Sequence, residues 1–87
     1  MTLCAQDYPD YMLEQTADKV ERMDERIKAA FEEWVDSNVI PTIEIEGWSY
    51  NKLVEKFEMR PVAAFLALDW LTREPEKASK ALKLGIS

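Results

Sequence analysis

Apolar positions recur along the first part of the chain at alternating spacings of three and four. Leu13, Val20, Ile27 and Trp34 stand seven apart, and Thr16, Met23 and Ala30 fall between them. This pattern predicts one continuous helix over about 8–36 carrying an a/d seam three heptads long. Asp7 is placed to cap it, with Pro9 tolerated in its first turn. Asp18 with Arg22 and Asp24 with Lys28 add acid-before-base pairs four apart on its flank. A helix of that length rises about 40 Å at 1.5 Å per residue. A compact chain of this size measures roughly 30 Å across. The helix is therefore expected to overhang its own domain, and Leu13, Val20, Met23, Ile27 and Trp34 are assigned to self-association as a homodimer. The other use of the same periodicity is an amphipathic helix lying on the chain's own core.

Ser37 and Asn38 stop this helix, and Pro41 forbids an easy restart. An extended stretch over 39–46 follows, in which Ile43, Glu44, Ile45 and Glu46 alternate as in a short strand with its isoleucines inward. So short a strand needs a partner, and the same strand of a second subunit is one candidate. Ser49 then caps a helix over 50–58, with Trp48 and Leu53 as the two halves of a hydrophobic staple. Pro61 opens a helix over 61–74 that Pro75 closes. A short helix over 76–84 ends the chain, with Gly85 as its stop. The expected fold is a single, mainly α domain: a long N-terminal helix, a short strand or extended link, a helix pair and a short C-terminal helix.

Within that pair, Ser49, Leu53, Val54, Phe57, Met59, Pro61, Ala64, Leu68 and Leu71 follow a familiar order of cap, turn and inward apolar positions. This spacing resembles the bacterial helix-turn-helix, and "LALDWLTRE" is similar to the third helix of small winged-helix proteins. The resemblance covers residues 49–74 and implies a DNA-binding regulator. The chain departs from it at several points. Glu58 stands where a glycine usually makes the turn, Arg60 replaces a capping serine, and no glycine-turned hairpin follows Glu74 to form a wing.

The larger departure is the face left for a DNA groove once Ala64, Leu68 and Leu71 point inward: Val62, Ala63, Phe65, Leu66, Asp69, Trp70 and Arg73. Base edges are read by Arg, Lys, Asn, Gln and hydroxyls, and phosphates by cations. This face offers one cation and one repelling acid. Leaving Phe65, Leu66 and Trp70 in water would forgo about 5–8 kcal/mol of burial, comparable to the stability of a small domain. Either the first helix covers them, or Val62, Leu66 and Trp70 form a partner face.

Charge sharpens the picture. The 87 residues carry a net charge of −6, which disfavours non-specific attraction to nucleic acid or anionic lipid. Residues 1–49 hold 12 acids and 4 bases, whereas residues 50–87 hold 5 acids and 7 bases. Lys77, Lys80 and Lys83 share roughly one face of the last helix. With Arg60 and Arg73 they are the phosphate contacts of the helix-turn-helix alternative; otherwise they are a solvated face suited to a helix C-terminus.

Candidate chemistry is sparse. The chain has no histidine, one cysteine (Cys4), two glycines, and no P-loop or dinucleotide-binding motif. Histidine-based nucleophile systems and proton shuttles are excluded. No catalytic, cofactor or metal site is assigned, and the acids Glu32, Glu33, Asp36, Glu44 and Glu46 lack calcium-loop spacing. The N-terminus lacks the basic start and apolar run of a signal peptide, and no stretch approaches the roughly 20 apolar residues of a membrane span. The expectation is a cytoplasmic, non-enzymatic protein-interaction module that self-associates through its long helix. The alternative is a helix-turn-helix DNA-binding regulator.

Overall fold

The computed structural model describes residues 13–14 and 16–84. The fold is mainly α. Among the described residues, five helices run in the order α1 (Ala17–Glu21), α2 (Glu25–Ser37), α3 (Tyr50–Phe57), α4 (Pro61–Arg73) and α5 (Pro75–Leu82). A two-stranded hairpin, β1 (Glu44–Ile45) and β2 (Trp48–Ser49), sits between α2 and α3. Asp7, Pro9 and Gly85, to which the sequence assigns a cap, a first-turn proline and a stop, lie outside the described residues.

The expected continuous helix is divided. α1 ends at Glu21, and Asp24 adopts an extended conformation (φ −53°, ψ 141°) before α2 begins. Asp24 then caps α2, its carboxylate accepting from the Arg26 N–H at 3.0 Å. An Asp here satisfies one of the orphan donors of a helix start. Its carboxylate meets the Arg26 guanidinium at 3.5 Å, so Asp24 is a cap rather than the flank partner of Lys28. The break folds α1 back beside α2. Leu13 and Asp36 line one groove, although a straight helix would hold them about 35 Å apart.

α4 is the central helix. Ala64, Phe65, Leu68 and Leu71 are fully buried on it, and α2, α3, α5 and β1 all pack against it. The Phe65 ring lies 5.5 Å from Phe31, 5.7 Å from Trp34 and 4.8 Å from Tyr50, in edge-on or tilted arrangements. Such geometries suit the ring quadrupoles and add to the burial itself. Phe65 on α4 therefore meets α2, the C-terminal half of the expected long helix.

The strand finds its partner inside the chain rather than in a second subunit. Ile45 stands opposite Trp48, and Glu44 opposite Ser49, in an antiparallel pair. Glu46 (φ 53°) and Gly47 (φ 81°) form the two-residue turn. Positive φ at both central positions marks a type I′ turn, whose twist matches that of the strands it joins. Ile45 and Trp48 are buried, and the ammonium groups of Lys52 and Lys56 lie 4.7 and 5.1 Å from the Trp48 ring. Ser49 caps α3 by accepting from the Lys52 N–H at 3.2 Å.

The α3–α4 turn is built on strain. Glu58 closes α3 in the left-handed region at φ 52°, where glycine is the unstrained choice. Pro61 opens α4, with no side-chain cap from Arg60. α5 closes earlier than Gly85, at a left-handed Lys83. There the Leu84 N–H donates to the Ser79 carbonyl at 3.0 Å and the Lys83 N–H to that of Lys80 at 3.2 Å, the paired bonds of a Schellman motif.

Candidate functional site

The residues assigned to self-association are turned inward. Ile27 and Trp34 are completely buried, and Val20 and Met23 nearly so. Leu13 is half-buried and packs against the same core. The heptad repeat is real as a pattern, but its inner edge packs within this chain instead of forming an open seam. The physical reason is the break at residues 22–24, which replaces one overhanging rod with two helices lying side by side.

The proposed partner face of α4 divides in the same way. Val62 is buried, Leu66 half-buried and Trp70 exposed. Trp70 is held by its indole N–H, which donates to Glu74 at 3.1 Å. Among the proposed phosphate contacts, Arg60, Arg73, Lys77, Lys80 and Lys83 are all exposed. Two of them already have acidic partners: Arg73 meets Asp69 at 3.2 Å, and Lys77 meets Glu74 at 3.6 Å. The outward stripe of α4 is thus Ala63, Leu66, Trp70 and Arg73, apolar except at its end.

An apolar concavity lies elsewhere, between α1 and α2. It encloses about 450 Å³, and its apolar lining is Leu13, Ala17, Val20, Phe31 and Val35. Its rim carries Glu21, Glu32 and Asp36 against the single base Lys28. No ion pair among the described residues joins these four. A second depression of about 430 Å³ lies between α2 and residues 41–44, but among the described residues its only large apolar side chain is Ile43.

Two helix faces build the first groove. Leu13, Ala17 and Val20 recur at spacings of four and three, as do Phe31 and Val35 with Lys28, Glu32 and Asp36 around them. Ala17, Phe31 and Val35 lie off the heptad seam, so they carry no role in a reading centred on it. Their own signal was an apolar pair four apart, Phe31 and Val35, on a flank that a seam helix would leave polar.

Among the described residues no group of three or more potential metal ligands gathers, and no helix is long and apolar enough to cross a membrane. Compared with known proteins, the chain matches no family model, no curated protein and no solved structure. The helix-turn-helix likeness of residues 49–74 therefore rests on local spacing alone.

Proposed function

We propose that this chain is a small, non-enzymatic protein-interaction module that binds its partner in the α1–α2 groove. The groove itself carries the reading. An apolar trough bounded by two helix faces is the form in which small helical domains receive a segment of another protein. Soluble domains generally bury continuous apolar surface unless binding requires it open. The route through an open heptad seam has less support, because the seam residues pack within the single chain.

DNA binding has weaker support. A reading helix needs donors and acceptors aimed at base edges, whereas α4 presents Ala63, Leu66 and Trp70 outward. Arg73 is engaged by Asp69, and the chain as a whole carries a net charge of −6.

The reading is tested by retrieving partners from cells with the intact chain, its Val35→Asp variant and a Leu66→Asp variant. The expected result is a specific partner retained by the wild type and by Leu66→Asp but lost with Val35→Asp. Equal retention by all three chains would move the binding surface away from the groove. Loss only with Leu66→Asp would assign it to the outer face of α4. Retardation of duplex DNA at low salt, abolished by replacing Lys80 and Lys83, would establish the nucleic-acid alternative instead.

A further inference from the structure

Resting on that reading, the groove's chemistry points to a single kind of occupant. We infer that it receives a basic amphipathic helix of another protein, about two turns of which lie along the α1–α2 trough. The trough is open to solvent and lined from both helices, rather than a closed pocket. Along α2 its lining runs from Lys28 to Asp36, a rise of about 12 Å, or roughly two helical turns. Its buried lining is aliphatic and aromatic, Val20 and Phe31, and its acids Glu21, Glu32 and Asp36 are exposed. A small polar ligand would instead require polar groups converging on the floor. An apolar stripe at i, i+3 or i+4, and i+7 of an incoming helix matches such a channel.

Charge selects among helices. Glu21, Glu32 and Asp36 outnumber Lys28 on the rim, and the three acids have no ion-pair partner among the described residues. Lysines or arginines flanking the apolar stripe of the guest would meet these carboxylates at the edge of a desolvated contact. Complementarity of this kind sets specificity and association rate more than raw affinity.

The same arithmetic disfavours occupants drawn from this chain. Residues 1–12 contain Asp7 and Asp10 and no lysine or arginine, so they do not complement an acidic rim. A symmetric pairing of two grooves would set acid against acid, because a two-fold interface places the same patch on both sides. The chain's own basic helix, α5, already turns its apolar side inward through the buried Ala78. Another protein remains.

The test is selection of helix-forming peptides from a display library against the intact chain, followed by affinity measurement by fluorescence anisotropy. Expected binders are rich in Lys and Arg around an apolar i, i+4, i+7 stripe. They lose at least tenfold in affinity with Val35→Asp and with the rim reversal Glu32→Lys/Asp36→Lys, and they weaken as salt rises. The rim variant alters only exposed positions, and circular dichroism of both variants establishes that the fold is kept.

Groove-directed binders that are acidic, neutral or extended would overturn the inference while leaving the groove as the interaction site. Failure to select any binder sensitive to Val35→Asp would overturn the inference and the underlying reading together. A concentration-dependent dimer that Val35→Asp dissociates would assign the groove to a second copy of the chain and overturn the inference as well.

Discussion

The backbone N–H of Asp24 donates to the Oδ1 atom of Asp69 at 2.9 Å, across 45 residues of sequence. The same carboxylate oxygen lies 3.2 Å from the Arg73 Nε atom. Asp69 is the one polar residue in the apolar run of α4, and its place is explained by this bond. It tethers the start of α2 to the central helix at the point where α1 turns away. Asp69 thereby supports the corner that creates the groove.

Removing that acceptor leaves the Asp24 N–H at a partly buried helix start without its partner. Asp69→Ala is expected to destabilise the chain by about 1–3 kcal/mol, the range for stranding a buried donor bonded to a charged group. Asp69→Asn keeps an acceptor oxygen but loses the charge facing Arg73, and should lose less, about 1 kcal/mol. Urea denaturation of the two variants checks the order. Equal losses would mean that the ion pair, not the bond to Asp24, dominates at this site.

Ser79 presents the opposite case. It is buried, and among the described residues its hydroxyl has no hydrogen-bond partner. Burying an unsatisfied hydroxyl is unfavourable by about 1–3 kcal/mol in protein mutational data. Alanine at this position also has the higher helix propensity. Ser79→Ala should therefore stabilise the chain, by about 1 kcal/mol, measured as a raised urea midpoint with unchanged slope. A lowered midpoint would show that the hydroxyl is satisfied in solution.

Backbone strain gives a third expectation. Glu58 occupies a left-handed position at the end of α3, and Glu46 occupies one in the hairpin turn. Glycine at 58 removes the side-chain clash but loosens the unfolded chain, so the two effects partly offset. The expected net gain for Glu58→Gly is up to about 1 kcal/mol. Glu46→Asn creates the Asn-Gly pair preferred in type I′ turns and should raise the thermal midpoint as well. A midpoint lowered by both changes would mean that the two glutamates make contacts that outweigh their strain.

These cases show which parts of the fold were legible in sequence. The cap at Ser49, the proline opening α4 and the inward stripe of Ala64, Leu68 and Leu71 are local patterns, read within a turn or two of the residues concerned. The division of the first helix is not local. Asp24 reads equally well as a helix-flank partner for Lys28 or as a cap, and its choice is supported by Asp69, far along the chain. The hairpin lay between these extremes. Gly47 follows an alternating run, but the left-handed residue before it is glutamate rather than the expected asparagine or aspartate. The groove was hidden because it is defined by α1 folding back. Phe31 and Val35 become one side of a site only once Leu13 and Ala17 stand opposite them.

The sharpest contrast between an inward seam and a shared one comes from two substitutions on α2. Ile27 is completely buried, and Ile27→Asp would place an unpaired carboxylate in the aromatic core beneath α4. Losses of several kcal/mol follow from an uncompensated buried charge, against a total stability of about 4–13 kcal/mol for a chain of this length. Val35 is only half-buried, lining the groove, and Val35→Asp should change stability by about 1 kcal/mol or less. Circular dichroism and light scattering separate the possibilities. With the seam inside the chain, Ile27→Asp unfolds or nearly unfolds the protein, whereas Val35→Asp stays folded. With the seam shared between two chains, Ile27→Asp would instead yield a folded monomer from a wild-type dimer, and the inward packing described here could not stand.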